Sequence, residues 1–140
     1  MFWPSWLQWG GGRSKEELSN ARKLEAVLKD LDSVISILPE YPEIREWSPK
    51  RKISVLEKVI PTIEQVVKYL KKENLTFPYQ MTPKAEGWKI GILINALNWF
   101  KHFVELDEKE LDIQLHARYD GALKDLRSFR SFIQNTLSEL

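Results

Sequence analysis

An all-α chain follows from three observations. Four segments repeat apolar residues at three- and four-residue steps, the period of one helix face. Caps, or caps followed by proline, stand just before these segments. The strict apolar/polar alternation of a half-buried strand is almost absent.

The first helix starts at a capping box, Ser14 with Glu17 three residues on, so it begins near Lys15. Leu18, Ala21, Leu24, Leu28, Leu31, Ile35 and Leu38 mark its apolar face, and Pro39 stops it. The stretch "PEYPEIREWSP" holds three prolines and reads as an ordered loop. Ser48 and Pro49 then form an N-cap with proline at the first helical position. The second helix carries Ile53, Leu56, Ile60, Ile63, Val67 and Leu70 on one face. Pro61 lies inside it and either kinks it or divides it, because proline removes a backbone donor and crowds the preceding turn. After the loop "ENLTFPYQM", Thr82 and Pro83 repeat the cap signature. The third helix shows a wide apolar face of Trp88, Ile92, Leu93, Ala96, Trp99, Phe100 and Phe103. Asp107 and Glu110 form a second capping box. The fourth helix carries Leu111, Leu115, Tyr119, Ala122, Leu126, Phe129, Ile133 and Leu137. Loops of about 4 to 12 residues favour antiparallel neighbours, so residues 14–140 are expected to form an up-down four-helix bundle.

Before the bundle stands "MFWPSWLQWGGGRS". Residues 1–9 form an aromatic segment, and residues 10–13 a glycine-rich linker. On a helix, Phe2, Trp3, Trp6, Leu7 and Trp9 share an arc of about 160°, with Pro4, Ser5 and Gln8 opposite. Three uses fit this flexible amphipathic segment. It suits a membrane interface, where tryptophan sits at headgroup level. Burying about 100 Å² on each of four aromatics yields roughly 10 kcal/mol gross. Ordering nine residues costs roughly 1 to 1.5 kcal/mol each, so attachment is weak without a second signal such as a basic patch, a partner or self-association. The segment also suits a protein groove. Phe2, Trp6 and Trp9 stand at i, i+4 and i+7, which resembles the anchor triad of helix-in-groove peptides, with Trp9 where leucine is usual. The third use is a lid over its own bundle, or an appended tag, since "GGGRS" has the look of a laboratory linker.

Chemistry is poorly represented. The chain has 140 residues, enough for one self-supporting core. It has no cysteine, hence no disulfide framework and no thiolate metal site. His102 and His116 lack the Glu three residues before them that a bundle di-metal site needs, so no metal and no cofactor is expected. The glycine run follows no strand, so it is no phosphate loop. Twenty-one basic against twenty acidic residues leave a net charge of +1, which gives no pull toward nucleic acid. No apolar run reaches membrane-span length, and neither a secretory nor a transit signal is visible. An intracellular protein, peripheral to a membrane or cytoplasmic, is therefore expected.

Lys50, Arg51 and Lys52 are less usual, because positive charge at a helix start opposes the macrodipole. A solvated face accounts for them; as functional residues they would meet anionic headgroups or a partner, each adding at most about 1 kcal/mol. In "GWKIGILINALNWF", Gly87 and Gly91 share a face that permits close helix approach, as in a tightly packed core helix or a groove for a partner helix. The expectation is a non-catalytic module that attaches to a membrane through residues 2–9 and presents its bundle to protein partners. Its rivals are a soluble adaptor whose aromatic segment enters a partner's groove, and a ligand carrier or enzyme with a site among Trp88, Trp99, Phe100 and Phe103.

Overall fold

A computed structural model describes residues 15–73 and 83–139, with side chains described over 21–72 and 90–138. These residues form five helices and no strand: α1 (Lys15–Ile37), α2 (Tyr41–Arg45), α3 (Pro49–Glu73), α4 (Pro83–Phe103) and α5 (Glu108–Glu139). Each of the four long helices packs on two others: α4 on α3 and α5, and α1 on α3 and α5. The short α2 lies against α5. Ser14, Thr82 and the aromatic segment 1–9 with its linker lie outside the described residues.

Two caps are visible. Ser48 Oγ accepts from the Arg51 amide at 3.2 Å, and Asp107 Oδ1 accepts from the Glu110 amide at 2.9 Å. Each satisfies one of the amides that a helix start leaves without a partner. Pro61 does not divide α3, which runs unbroken from Pro49 to Glu73. The ring is exposed, so the Glu57 carbonyl that loses its usual donor sits on an exposed residue and can be hydrated.

The proline-rich stretch differs from its expected form. It contains α2, with Pro42 in the first turn, where a missing N–H costs nothing. Both the Glu43 and Ile44 amides bond to the Glu40 carbonyl at 3.1 Å. Ile44 is fully buried, and Tyr41 and Trp47 pack against the core. Three prolines masked one apolar anchor, and a single turn is too short to show a period.

The core is one cluster drawn from all five helices. Leu24, Leu31, Leu56, Ile63, Leu93, Phe100, Phe103, Leu111, Leu115, Leu126, Phe129 and Ile133 are closed to solvent. The predicted faces are largely right, with a shift in angle. On α1, Val27 and Val34 are buried, while Leu28 and Ile35 are half-buried. On α3, Val59 and Val66 are buried, while Ile53 and Ile60 lie at the margin. A helix held between two others buries a broader arc than one stripe. Gly91 is exposed, and a methyl added there would meet nothing within 4 Å, so Gly91 does not mark a close helix contact.

Tyr119 ties α5 to the end of α1. Its ring is fully buried, and its hydroxyl donates to the Pro39 carbonyl at 2.7 Å. Burial, reinforced by the nearby Glu40 carboxylate, pushes the phenol well above its ordinary value. As pH rises, the unfolded chain loses this proton first while the folded chain keeps it. The contribution is therefore complete below about pH 10 and declines above it, by up to about 1.4 kcal/mol per pH unit. Denaturant titrations of the parent and Tyr119→Phe across that range should show a steeper alkaline loss in the parent. Parallel curves would contradict this assignment.

Candidate functional site

Phe2, Trp3, Trp6, Leu7 and Trp9 lie outside the described residues, so the structure bears on the other candidates. The basic triplet at the start of α3 separates into three environments. Lys50 is exposed, beside a shallow groove of about 550 Å³ that Pro49, Ile53, Leu106 and Leu111 line and Lys58 and Glu108 flank. Arg51 is exposed too, with its guanidinium carbon 4.0 Å from the Trp47 ring centroid, a cation–π contact. Lys52 is 5% exposed, and its Nζ donates to Asp112 Oδ1 at 2.8 Å. Its charge is partnered within the fold, so only Lys50 and Arg51 face outward.

The period explains the difference. Lys52 stands four residues before Leu56 and seven before Val59, on the buried face of α3. A lysine there reaches along apolar surface to place its ammonium on a carboxylate. Asp112 supplies that carboxylate from the first turns of α5, and its side chain is 58% exposed. The unexpected positive charge at the start of α3 thus has a partial cause inside the molecule.

Around this pair lies a small polar cavity of about 200 Å³, lined by Tyr41 and Arg45 of α2, Lys52 of α3, and Asp112 and Leu115 of α5. His116 borders it: its Nδ1 lies 3.2 Å from the Tyr41 hydroxyl, with the two rings edge to face at 5.5 Å. Among the described residues Arg45 makes no ion pair, whereas several other charged pairs join exposed or half-exposed groups far apart in sequence. They include Asp32–Arg130 at 2.7 Å, Glu40–Arg127 at 2.5 Å and Glu64–Lys101 at 3.3 Å. Such surface pairs contribute about 0 to 1 kcal/mol each. Sequence reasoning missed this cavity. Tyr41 and Arg45 lay in a stretch read as loop, and no local period links them to Asp112.

A longer groove of about 720 Å³ runs beside α5. Glu40, Asp120, Lys124, Arg127, Ser128 and Asn135 give it a mixed polar lining without a dominant sign.

The aromatic cluster of α4 is mainly structural. Phe100 and Phe103 are closed to solvent and meet edge to face at 6.3 Å, and Trp99 stacks on Phe103 at 6.0 Å. A ligand among these rings would have to displace core. The Trp88 side chain lies outside the described ones. His102 is exposed, its ring edge to face with Trp99 at 5.8 Å. Among the described residues no three His, Cys, Asp or Glu side chains gather as a metal site. No described helix is long and apolar enough to cross a membrane.

Comparison with protein-family models, with curated proteins and with solved structures finds no match to this chain.

Proposed function

We propose that this chain is a non-catalytic module that attaches peripherally to a membrane and presents a helical domain to protein partners. One observation carries the reading: Phe2, Trp3, Trp6, Leu7 and Trp9 fall on one helical face, and three glycines separate them from the domain. In this reading the four long helices run up and down as one bundle, and the aromatic face inserts at headgroup depth. Lys50 and Arg51 are exposed and available to an anionic surface, whereas Lys52 is held by Asp112. The half-buried Trp47 beneath Arg51 adds an aromatic of the type found at such interfaces. The proposed compartment is intracellular, and self-association would strengthen a weak single attachment.

The test is co-sedimentation of the full chain with phosphatidylcholine vesicles, with and without phosphatidylserine, beside a chain lacking residues 2–9. The full chain should pellet and the deletion should stay in solution. Lys50→Gln with Arg51→Gln should reduce pelleting on the anionic vesicles alone. If the full chain remains in solution with both vesicle types, the membrane reading fails. The aromatic triad at i, i+4 and i+7 then favours the second reading, a soluble adaptor that places Phe2, Trp6 and Trp9 in a partner's groove.

A further inference from the structure

We propose that the cavity between α2, α3 and α5 is a binding site for a tetrahedral oxyanion of the phosphate class. This goes beyond the membrane reading and does not depend on residues 2–9.

The cavity gathers hydrogen-bond donors from separate helices. Lys52, a residue only 5% exposed, brings an ammonium with three N–H donors, one of them engaged by Asp112. Arg45 brings a planar fork of donors and no ion pair among the described residues. Tyr41 adds a hydroxyl whose one recorded partner is His116 Nδ1. When that nitrogen carries the hydrogen, the hydroxyl is free to donate into the cavity. Asp112 is the one carboxylate in the lining, so Arg45 and Lys52 leave an excess of one positive charge.

Two features favour an anion over water alone. An ammonium on a buried residue with a single carboxylate partner keeps donors that an oxyanion satisfies with charge-assisted bonds. A volume of about 200 Å³ holds a phosphate group with room for its ester substituent. Donors arriving from α2 and α3 suit a tetrahedral group better than a planar carboxylate, and an arginine fork matches two phosphate oxygens. Leu115 closes one wall with apolar surface, which strengthens each polar contact inside.

The same chemistry is offered by free phosphate and by the phosphomonoester headgroup of phosphatidic acid. The first probe is sodium phosphate, titrated into the full chain against sodium chloride of equal ionic strength, with thermal unfolding followed by circular dichroism. Phosphate should raise Tm saturably beyond the chloride control. Arg45→Gln, an exposed substitution on a short helix, should weaken the apparent affinity about tenfold or more, and Lys52→Met should abolish the shift. Tyr41→Phe should weaken it less. Equal shifts in phosphate and chloride would overturn the proposal, as would an undiminished phosphate shift in Arg45→Gln.

A second arm separates the sources. Phosphatidylcholine vesicles containing phosphatidic acid are mixed with the parent chain, Arg45→Gln and the chain lacking residues 2–9. Pelleting that falls in Arg45→Gln assigns the site to the headgroup. A phosphate-dependent Tm without that fall assigns it to a free phosphate compound, and both results support the site. The deletion distinguishes the two proposals: it should lose binding to vesicles of phosphatidylcholine alone yet keep its phosphate-dependent Tm.

Discussion

Phe100→Ala is expected to lower the unfolding free energy by about 3–5 kcal/mol, the range for removing a buried ring without collapse of the space left behind. Phe100 is closed to solvent, on the helix that packs against both α3 and α5. Its ring meets Phe103 edge to face, so truncation removes core volume and an aromatic contact together. A domain of this size has about 5–15 kcal/mol in total, so the loss would be a large share of its stability. Urea unfolding followed by circular dichroism measures it, with the slope of the transition expected to hold while the midpoint falls. Ile113→Ala is the matched control. Ile113 is 50% exposed on α5, and its truncation should cost less than about 1 kcal/mol. Similar losses in the two variants would mean that Phe100 does not fill the closed core in which the structure places it. The same experiment bears on a ligand site among Trp99, Phe100 and Phe103: a wall of a ligand pocket tolerates truncation better than a filled core does.

Unequal effects are expected from the two halves of the Lys52–Asp112 pair. Asp112→Asn keeps the shape but removes the charge, leaving a buried ammonium without its counter-ion. The expected loss is about 1–3 kcal/mol: the amide oxygen can still accept from Nζ, but the bond loses its charge-assisted strength. Lys52→Met removes the buried charge and leaves Asp112, 58% exposed, to water. Methionine covers much the same apolar surface as the lysine stem, so this change should fall within about 1 kcal/mol of the parent in either direction. Equilibrium unfolding of both single variants and the double variant checks the asymmetry. The double variant should resemble Lys52→Met, because with the lysine gone Asp112→Asn strands no buried charge. A Lys52→Met loss as large as that of Asp112→Asn would show that the lysine stabilises the fold by its charge. Raising the salt concentration should leave the asymmetry in place, since ions screen a buried group much less than an exposed pair.

The helical class, the four long helices and most of their inward residues were legible in local patterns. Ser48 and Asp107 accept the amides that their cap positions foretold. Tyr119, placed on an apolar face by period alone, is buried there. These features depend on neighbours within a few residues, and a helix is a local object whose caps and faces repeat at fixed spacing. The errors have separate causes. The α2 turn was hidden because proline signals both a loop and a helix start, and only burial of Ile44 separates the two. Adjacency in sequence suggests a common surface for Lys50, Arg51 and Lys52. The angle of 100° per residue disperses them around the helix, and that signal was present in the spacing to Leu56 and Val59.

By itself the sequence determined an all-α chain, with the positions of its long helices, the amino acids of its core and an aromatic segment set apart by glycines. Only the tertiary structure decided which basic residues face outward and which groups meet. Asp112 lies sixty residues from Lys52, His116 seventy-five from Tyr41, and the Tyr119 hydroxyl eighty from Pro39. Such pairings have no local period. They arise when apolar faces close on one another and leave each buried polar group to satisfy its hydrogen bonds with whatever the neighbouring helix presents.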